Sequence, residues 1–240
     1  MVEHAIPKTL EEALETMKKG TFRPMAGGTD LMVRHRSWAN TPPEFGFDII
    51  YLHKLNGLRY ITDEGDHVEI GALTPYETIL EHDATPAPLK VCINDLASPG
   101  IRHVATLAGN IANASPAADA VLVLIMMDAT AVLRSVEGTR EALVSELITG
   151  PGRTSIGPGE LITAIRIPKQ AFSHTFFRKV GGRKAGVLSK VALAGGIRLE
   201  DGVIRDLNIA LNACSATIVR DRKVEDAFIG KRVKTLKDDP

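Results

Sequence analysis

The sequence predicts an α+β protein. Helix signals and short strand signals alternate through the first half of the chain, and from Thr130 the pattern changes to strands. No internal repeat, low-complexity tract or long linker interrupts either half. A seam between the two regimes is expected near residues 168–174.

The elements follow in order. Thr9 and Glu12 form a capping box, the threonine as N-cap and the glutamate reaching back. Leu10, Ala13, Leu14 and Met17 then share one helical face, and Lys18-Lys19-Gly20 closes the helix. A strand over 22–25, a turn over 26–30, a helix from Leu31 and a strand over 48–52 complete a small α/β unit. Residues 59–62 and 67–70 read as a hairpin around Asp63-Glu64-Gly65-Asp66. Thr74, Pro75 and Glu77 make a second capping box, and a helix is expected over 86–96. Residues 106–114 are rich in Gly, Asn and Ala and differ from both neighbours. Ser115-Pro116 supplies an N-cap and a first helical residue for a buried helix over 117–127. Strands are expected over 130–135, 160–167, 174–179, 191–199 and 204–212. Glu200-Asp201-Gly202 turns between the last two, and a short helix near 223–228 ends at Gly230.

Composition narrows the function. The chain has 240 residues, 44% hydrophobic and 24% charged, enough to bury a sizeable core. Lys+Arg and Asp+Glu both number 29, and a net charge of zero argues against nucleic-acid or anionic-membrane binding. The two cysteines, Cys92 and Cys214, cannot build a four-thiolate zinc or iron–sulfur site. The N-terminus lacks a basic head followed by an apolar run, and the longest apolar stretch, 120–127, is too short to span a bilayer. A cytoplasmic location is expected. The seven histidines show no metal-ligand spacing, and no Ser-His-Asp or Cys-His arrangement is evident.

Two segments carry the chemistry. The first, Ala26-Gly27-Gly28-Thr29-Asp30-Leu31, joins a strand to a helix. Its glycines let the backbone approach a ligand, and consecutive N–H groups there form an anion nest. A tight turn in which Thr29 or Asp30 caps a helix fits the same residues. It is neither the G-x-G-x-x-G dinucleotide fingerprint nor a P-loop. The second segment, 106–119, reads TLAGNIANASPAAD. Asn110 offers donors and an acceptor, and Asp119 falls in the first helical turn, facing a sugar hydroxyl or serving as a solvated dipole partner. Two such turns in one small protein suit a ligand with a diphosphate lying between them.

On these residues the chain resembles the FAD-binding (medium) subunits of the molybdenum hydroxylases, the xanthine dehydrogenase and carbon monoxide dehydrogenase flavoprotein family. AGGTDL at 26–31 and TLAGNIANASPAAD at 106–119 resemble that family's two loops. Ile70-Gly71-Ala72-Leu73-Thr74, the segment ELITAIRIP at 160–168 and the Lys179…Arg183 pair are similar to further family motifs in the same order. Ala108 stands where the family commonly has glycine, and Val33 to Phe47, with Trp38, Pro42 and Pro43, departs from its pattern. Family chains commonly run on with more helices beyond the region of Gly230.

The resemblance implies a vanillyl-alcohol-oxidase-like (PCMH-type) FAD-binding fold. It comprises an α/β subdomain over 1–57, an α+β subdomain over 58–170 and a shortened C-terminal domain with an antiparallel sheet over 171–240. It implies FAD contacts from Pro24, Met25, Ala26, Gly27, Gly28, Thr29, Asp30 and Leu31 in the first loop. From the second loop it implies Thr106, Ala108, Gly109, Asn110 and Ser115. Asp119 would meet the ribityl or ribose region, Leu96 and Ile162 the flavin ring, and Lys179 the cofactor. As a residue, Lys179 is a flexible cation within reach of a phosphate or flavin, or a solvated strand lysine.

The implied role is an oxidoreductase subunit. A molybdenum-cofactor large subunit oxidises the substrate, a small subunit with two 2Fe–2S clusters relays electrons, and this chain's FAD passes them to NAD or another acceptor. A dimer of such heterotrimers is implied. Two other readings stand beside it: a stand-alone FAD-dependent oxidoreductase, and a nucleotide-binding scaffold subunit without redox chemistry.

Overall fold

The computed structural model of the chain describes residues 2–36, 44–183 and 186–233. Trp38, Pro42 and Pro43, noted above for departing from the family pattern, lie outside them.

The first unit holds three parallel strands, β1 (His4–Ala5), β2 (Phe22–Met25) and β3 (Asp48–Tyr51), in the order β1-β3-β2. Two residues of β1 gave no period to read, so this strand escapes the sequence pattern. Helix α1 (Leu10–Met17) starts where Thr9 Oγ1 accepts from Glu12 N at 3.2 Å. The reciprocal arm differs from expectation: Glu12 Oε2 takes the N–H of Lys8 at 2.7 Å rather than that of Thr9. Ala13, Leu14 and Met17 bury against Phe22 and Ile50, and this core extends to Leu73 and Leu161 of the next unit. The turn after β2 leads into α2 (Leu31–Arg34), a single helical turn. Pro24 sits in the edge strand β2, where a missing N–H costs no ladder bond.

The second unit is an antiparallel five-stranded sheet covered by helices. Its strands are β4 (Ile61–Asp63), β5 (His67–Gly71), β6 (Thr130–Ser135), β7 (Gly138–Leu143) and, further along the chain, β10 (Leu161–Pro168), in the order β4-β5-β10-β6-β7. Arg166 of β10 lies opposite Glu69 of β5 and pairs with it at 2.6 Å, and it also pairs with Glu141 of β7. The helices are α3 (Tyr76–Glu81), α4 (Ala87–Asn94), α5 (Pro99–Arg102), α6 (Leu107–Asn113), α7 (Asp119–Met126) and α8 (Val144–Leu147). A two-stranded ribbon, β8 (Ile148–Gly150) with β9 (Arg153–Thr154), sits between α8 and β10.

Three expectations fail here for physical reasons. Thr74 does not cap α3; its hydroxyl donates to Tyr60 O and accepts from Tyr60 N, and Pro75 takes the N-cap position. Residues 107–113 form a helix despite Gly109 and two asparagines. Thr106 Oγ1 accepts from Gly109 N at 3.1 Å, and Leu107, Ala108 and Ile111 bury on its inner face. Ser115-Pro116 does not start the next helix: Ser115 Oγ accepts from Ala117 N in a local turn, and α7 begins at Asp119.

Every residue of α7 is buried, as expected of a helix apolar on all sides. It packs against α4, α6 and the last sheet. That sheet is antiparallel, β11 (His174–Val180), β12 (Val191–Glu200) and β13 (Val203–Asn212), in chain order. Asp201 and Gly202 both take positive φ, the signature of a two-residue hairpin turn. Helix α9 (Arg222–Asp226) follows. Arg220 reaches back to the C-terminus of α7, donating to Ile125 O, Met126 O and Asp128 Oδ1, and pairs with the buried Glu225. A cation there complements the helix dipole.

Candidate functional site

A cleft of about 770 Å³ opens between the three units, within the range of small-molecule and cofactor sites. Of the residues singled out in the sequence, Pro24, Met25, Ala26, Gly27, Gly28, Thr29, Asp30 and Leu31 line one wall. Thr106, Gly109, Asn110, Ser115 and Asp119 line another, and Leu96 and Lys179 complete the surround. Two residues are not brought to the cleft. Ala108 is buried on the inner face of α6, where helical dihedrals suit alanine and no glycine is required. Ile162 lies opposite Leu133 beside a bulge in β10 and packs into the main core.

The first loop is a nest of free donors. Among the described residues, no acceptor meets the N–H groups of Gly27, Gly28, Thr29 and Asp30. Gly28 holds φ +67°, which favours glycine. Gly27 is fixed differently: a Cβ there would lie 1.9 Å from the carbonyl oxygen of Val104 and 3.0 Å from Ala105 Cα. Its glycine is demanded by the protein itself, because this loop rests on the chain leading into α6. Asn113 Nδ2 donates to Asp30 Oδ2 at 3.1 Å and ties the two loops together.

The second loop is a capped helix rather than a nest. Thr106 occupies the N–H of Gly109, and Asn110 N bonds Thr106 O. Ala114 closes α6 in the left-handed region at φ 47°. Asn110 Oδ1 is buried on the cleft wall without a partner. A buried acceptor left unpaired costs on the order of 1–3 kcal/mol until a ligand satisfies it.

Asp119 and Lys179 form a buried, hydrogen-bonded pair on the cleft wall. Lys179 Nζ donates to Asp119 Oδ2 at 3.2 Å and to Asp95 O at 2.6 Å. Asp119 Oδ1 also accepts from Ser189 Oγ at 2.5 Å and Asn212 Nδ2 at 3.0 Å. The two side chains are only 8% and 10% exposed. Neither is the solvated group that the sequence also allowed. Asp119 is the first residue of α7, so its charge complements the dipole while Lys179 of β11, Asn212 of β13 and Ser189, just before β12, converge on it.

The sequence reading missed Tyr76, Arg23, Arg34 and Ala97, which also line the cleft, along with Gly152, Val187 and Leu188. Arg34 lies one turn past the first loop, so its place could have been read from the helix period. Arg23 and Ala97 directly adjoin Pro24 and Leu96, whereas Tyr76, Gly152, Val187 and Leu188 come from distant segments and carry no local signal. Of the histidines near the loops, His103 Nδ1 meets Pro99 O at 2.7 Å and His35 packs against Phe45 and Phe47. The described residues hold no group of three or more His, Cys, Asp or Glu side chains placed to bind a metal. No helix among them is long and apolar enough to cross a membrane.

The surround fits a dinucleotide: a nest of unpaired N–H donors, an orphaned amide oxygen, and an apolar flank at Leu96. Comparison with known proteins points the same way. Residues 1–170 match the family described as the FAD binding domain in molybdopterin dehydrogenase, and 176–236 match the CO dehydrogenase flavoprotein C-terminal domain. The chain is 32% identical to the glyceraldehyde dehydrogenase medium chain of Sulfolobus acidocaldarius over 232 residues, 94% of this chain and 80% of that one. It is 30% identical to the carbon monoxide dehydrogenase medium chain of Afipia carboxidovorans over 229 residues, 93% and 78% respectively. Among solved structures, the reconstituted CO dehydrogenase from Oligotropha carboxidovorans superposes with a TM-score of 0.87 at 27% identity, covering 96% of this chain and 81% of that one.

Proposed function

The chain belongs to the FAD-binding subunits of the molybdenum hydroxylase family, with their PCMH-type fold, and from that premise we propose that it is the electron-output subunit of a three-component oxidoreductase. The observation that carries the reading is the row of unpaired N–H groups from Gly27 to Asp30 on the wall of the inter-unit cleft. Neutral backbone donors suit a diphosphate, and Arg23, Arg34 and Lys179 add positive charge to the same cleft. Thr106, Gly109, Asn110 and Ser115 face it from the second loop. Leu96 keeps part of the flavin ring dry. Lys179, held by Asp119 and Asp95 O, presents a fixed positive charge to the cleft. FAD bound here would supply the redox chemistry; the protein binds, orients and excludes water. The division into 1–57, 58–170 and 171–240 belongs to the same proposal, with all three parts contributing to one cleft.

In this reading a small subunit with 2Fe–2S clusters delivers electrons, a large subunit carries the molybdenum cofactor, and NAD or another acceptor removes the electrons. Two heterotrimers pair in the full assembly, in the cytoplasm. Purification of the native protein from its source tests this. The expected result is three polypeptides with bound FAD, iron and molybdenum. A native chain that runs alone and still oxidises a small substrate would contradict it.

A further inference from the structure

We propose that the Tyr76 hydroxyl is a further cofactor-binding group, a donor to a diphosphate oxygen at the seam between the two loops. This rests on the cleft being the FAD site. Tyr76 is 2% exposed, lines the cleft, and its hydroxyl has no hydrogen-bond partner in the protein. Its backbone is anchored at the meeting point of the loops. Tyr76 N donates to Ala105 O at 3.0 Å, Gly27 closes against the Val104 carbonyl and Ala105 Cα, and Thr106, the cap of α6, is the next residue. Tyr76 therefore springs from a place where the chain leading into α6 meets the first loop, and its side chain lines the same cleft as Gly27, Asp30 and Thr106.

The chemistry of the group restricts what it can meet. Burial pushes the phenol well above its ordinary range, so it stays neutral and protonated. A buried hydroxyl without an acceptor is uncommon and is retained at a cost. The backbone of the neighbouring first loop offers unpaired N–H donors, Gly27 to Asp30, and the Asp30 carboxylate is already engaged by Asn113. A ligand that satisfies this wall must bring acceptor oxygens, which a diphosphate does. Tyr60 provides the contrast: its hydroxyl donates to Glu69 Oε1 at 2.6 Å on the far sheet and has no need of a ligand.

The test uses the full chain freed of flavin. FAD is titrated onto wild type, Tyr76→Phe and Tyr60→Phe while quenching of flavin fluorescence is followed, and each protein is melted with and without FAD. For Tyr76→Phe the expected Kd rises about five- to thirtyfold, the size of one hydrogen bond. Its cofactor-free Tm stays the same or rises, since no protein partner is lost, while the FAD-induced increment in Tm shrinks. Tyr60→Phe keeps the wild-type Kd. An unchanged Kd in Tyr76→Phe overturns the proposal and leaves the FAD reading standing. A raised Kd together with a lowered cofactor-free Tm marks a packing role and also overturns it. A wild-type chain that binds no FAD overturns the reading of the cleft, and this proposal with it.

Discussion

The two glycine-bearing loops look alike as strings of small residues, yet they are built on opposite plans. In the first, the backbone is pinned by the protein and the donors are left free. Gly27 is held against Val104, Gly28 sits at positive φ, and four N–H groups point at no acceptor. In the second, the backbone is a capped helix whose early donors are partly used, and the unpaired atom is a side-chain oxygen of Asn110. A glycine can thus be required by the fold or left open for a ligand, and only the surrounding atoms say which.

The contrast can be broken most severely at the anchor of the second loop. Lys179→Met removes the cation from the buried Asp119 while Ser189 and Asn212 remain as donors. Loss of one partner from such a pair costs roughly 3 kcal/mol, to be read as a lower urea midpoint. Gly27→Ala comes next. Its Cβ collides with the Val104 carbonyl, so the loops must separate. A stability loss of about 1–3 kcal/mol is expected, with little flavin in the purified protein. Gly109→Ala sharpens the comparison. Its Cβ meets only Thr106 Oγ1 at 3.2 Å, and the site is helical. Cofactor-free stability should change by less than about 1 kcal/mol, while a methyl group on the cleft wall weakens FAD in a fluorescence titration. Smallest is Asn110→Ala. Its Oδ1 has no protein partner, so the cofactor-free Tm should not fall, and the FAD Kd should rise roughly fivefold.

What could be read from the sequence divides along the same line. Residues that act through local rules were legible. The Thr9 cap, the face of Leu10, Ala13, Leu14 and Met17, and the Asp201-Gly202 hairpin all form in place. The 26–31 and 106–119 segments stood out because small residues in a row are unusual. Local rules misled where another hydrogen-bond partner, distant or local, competed. Thr74 looked like a cap but is taken by Tyr60, and Ser115-Pro116 looked like a helix start but makes a turn three residues early. Helix α6 was hidden because Gly and Asn lower its propensity, and burial of Leu107 and Ile111 overrides that. Tyr76 was invisible for a related reason: in sequence it is one more core aromatic, and only the folded chain shows that its buried hydroxyl has no partner.

Backbone amide exchange at Gly27, Gly28, Thr29 and Asp30 addresses the central claim most directly. With no protein acceptor these N–H groups should exchange freely in the flavin-free chain, and saturating FAD should slow them at least about tenfold. Slowing confined to other segments, with these four unchanged, would contradict a diphosphate held in the first loop.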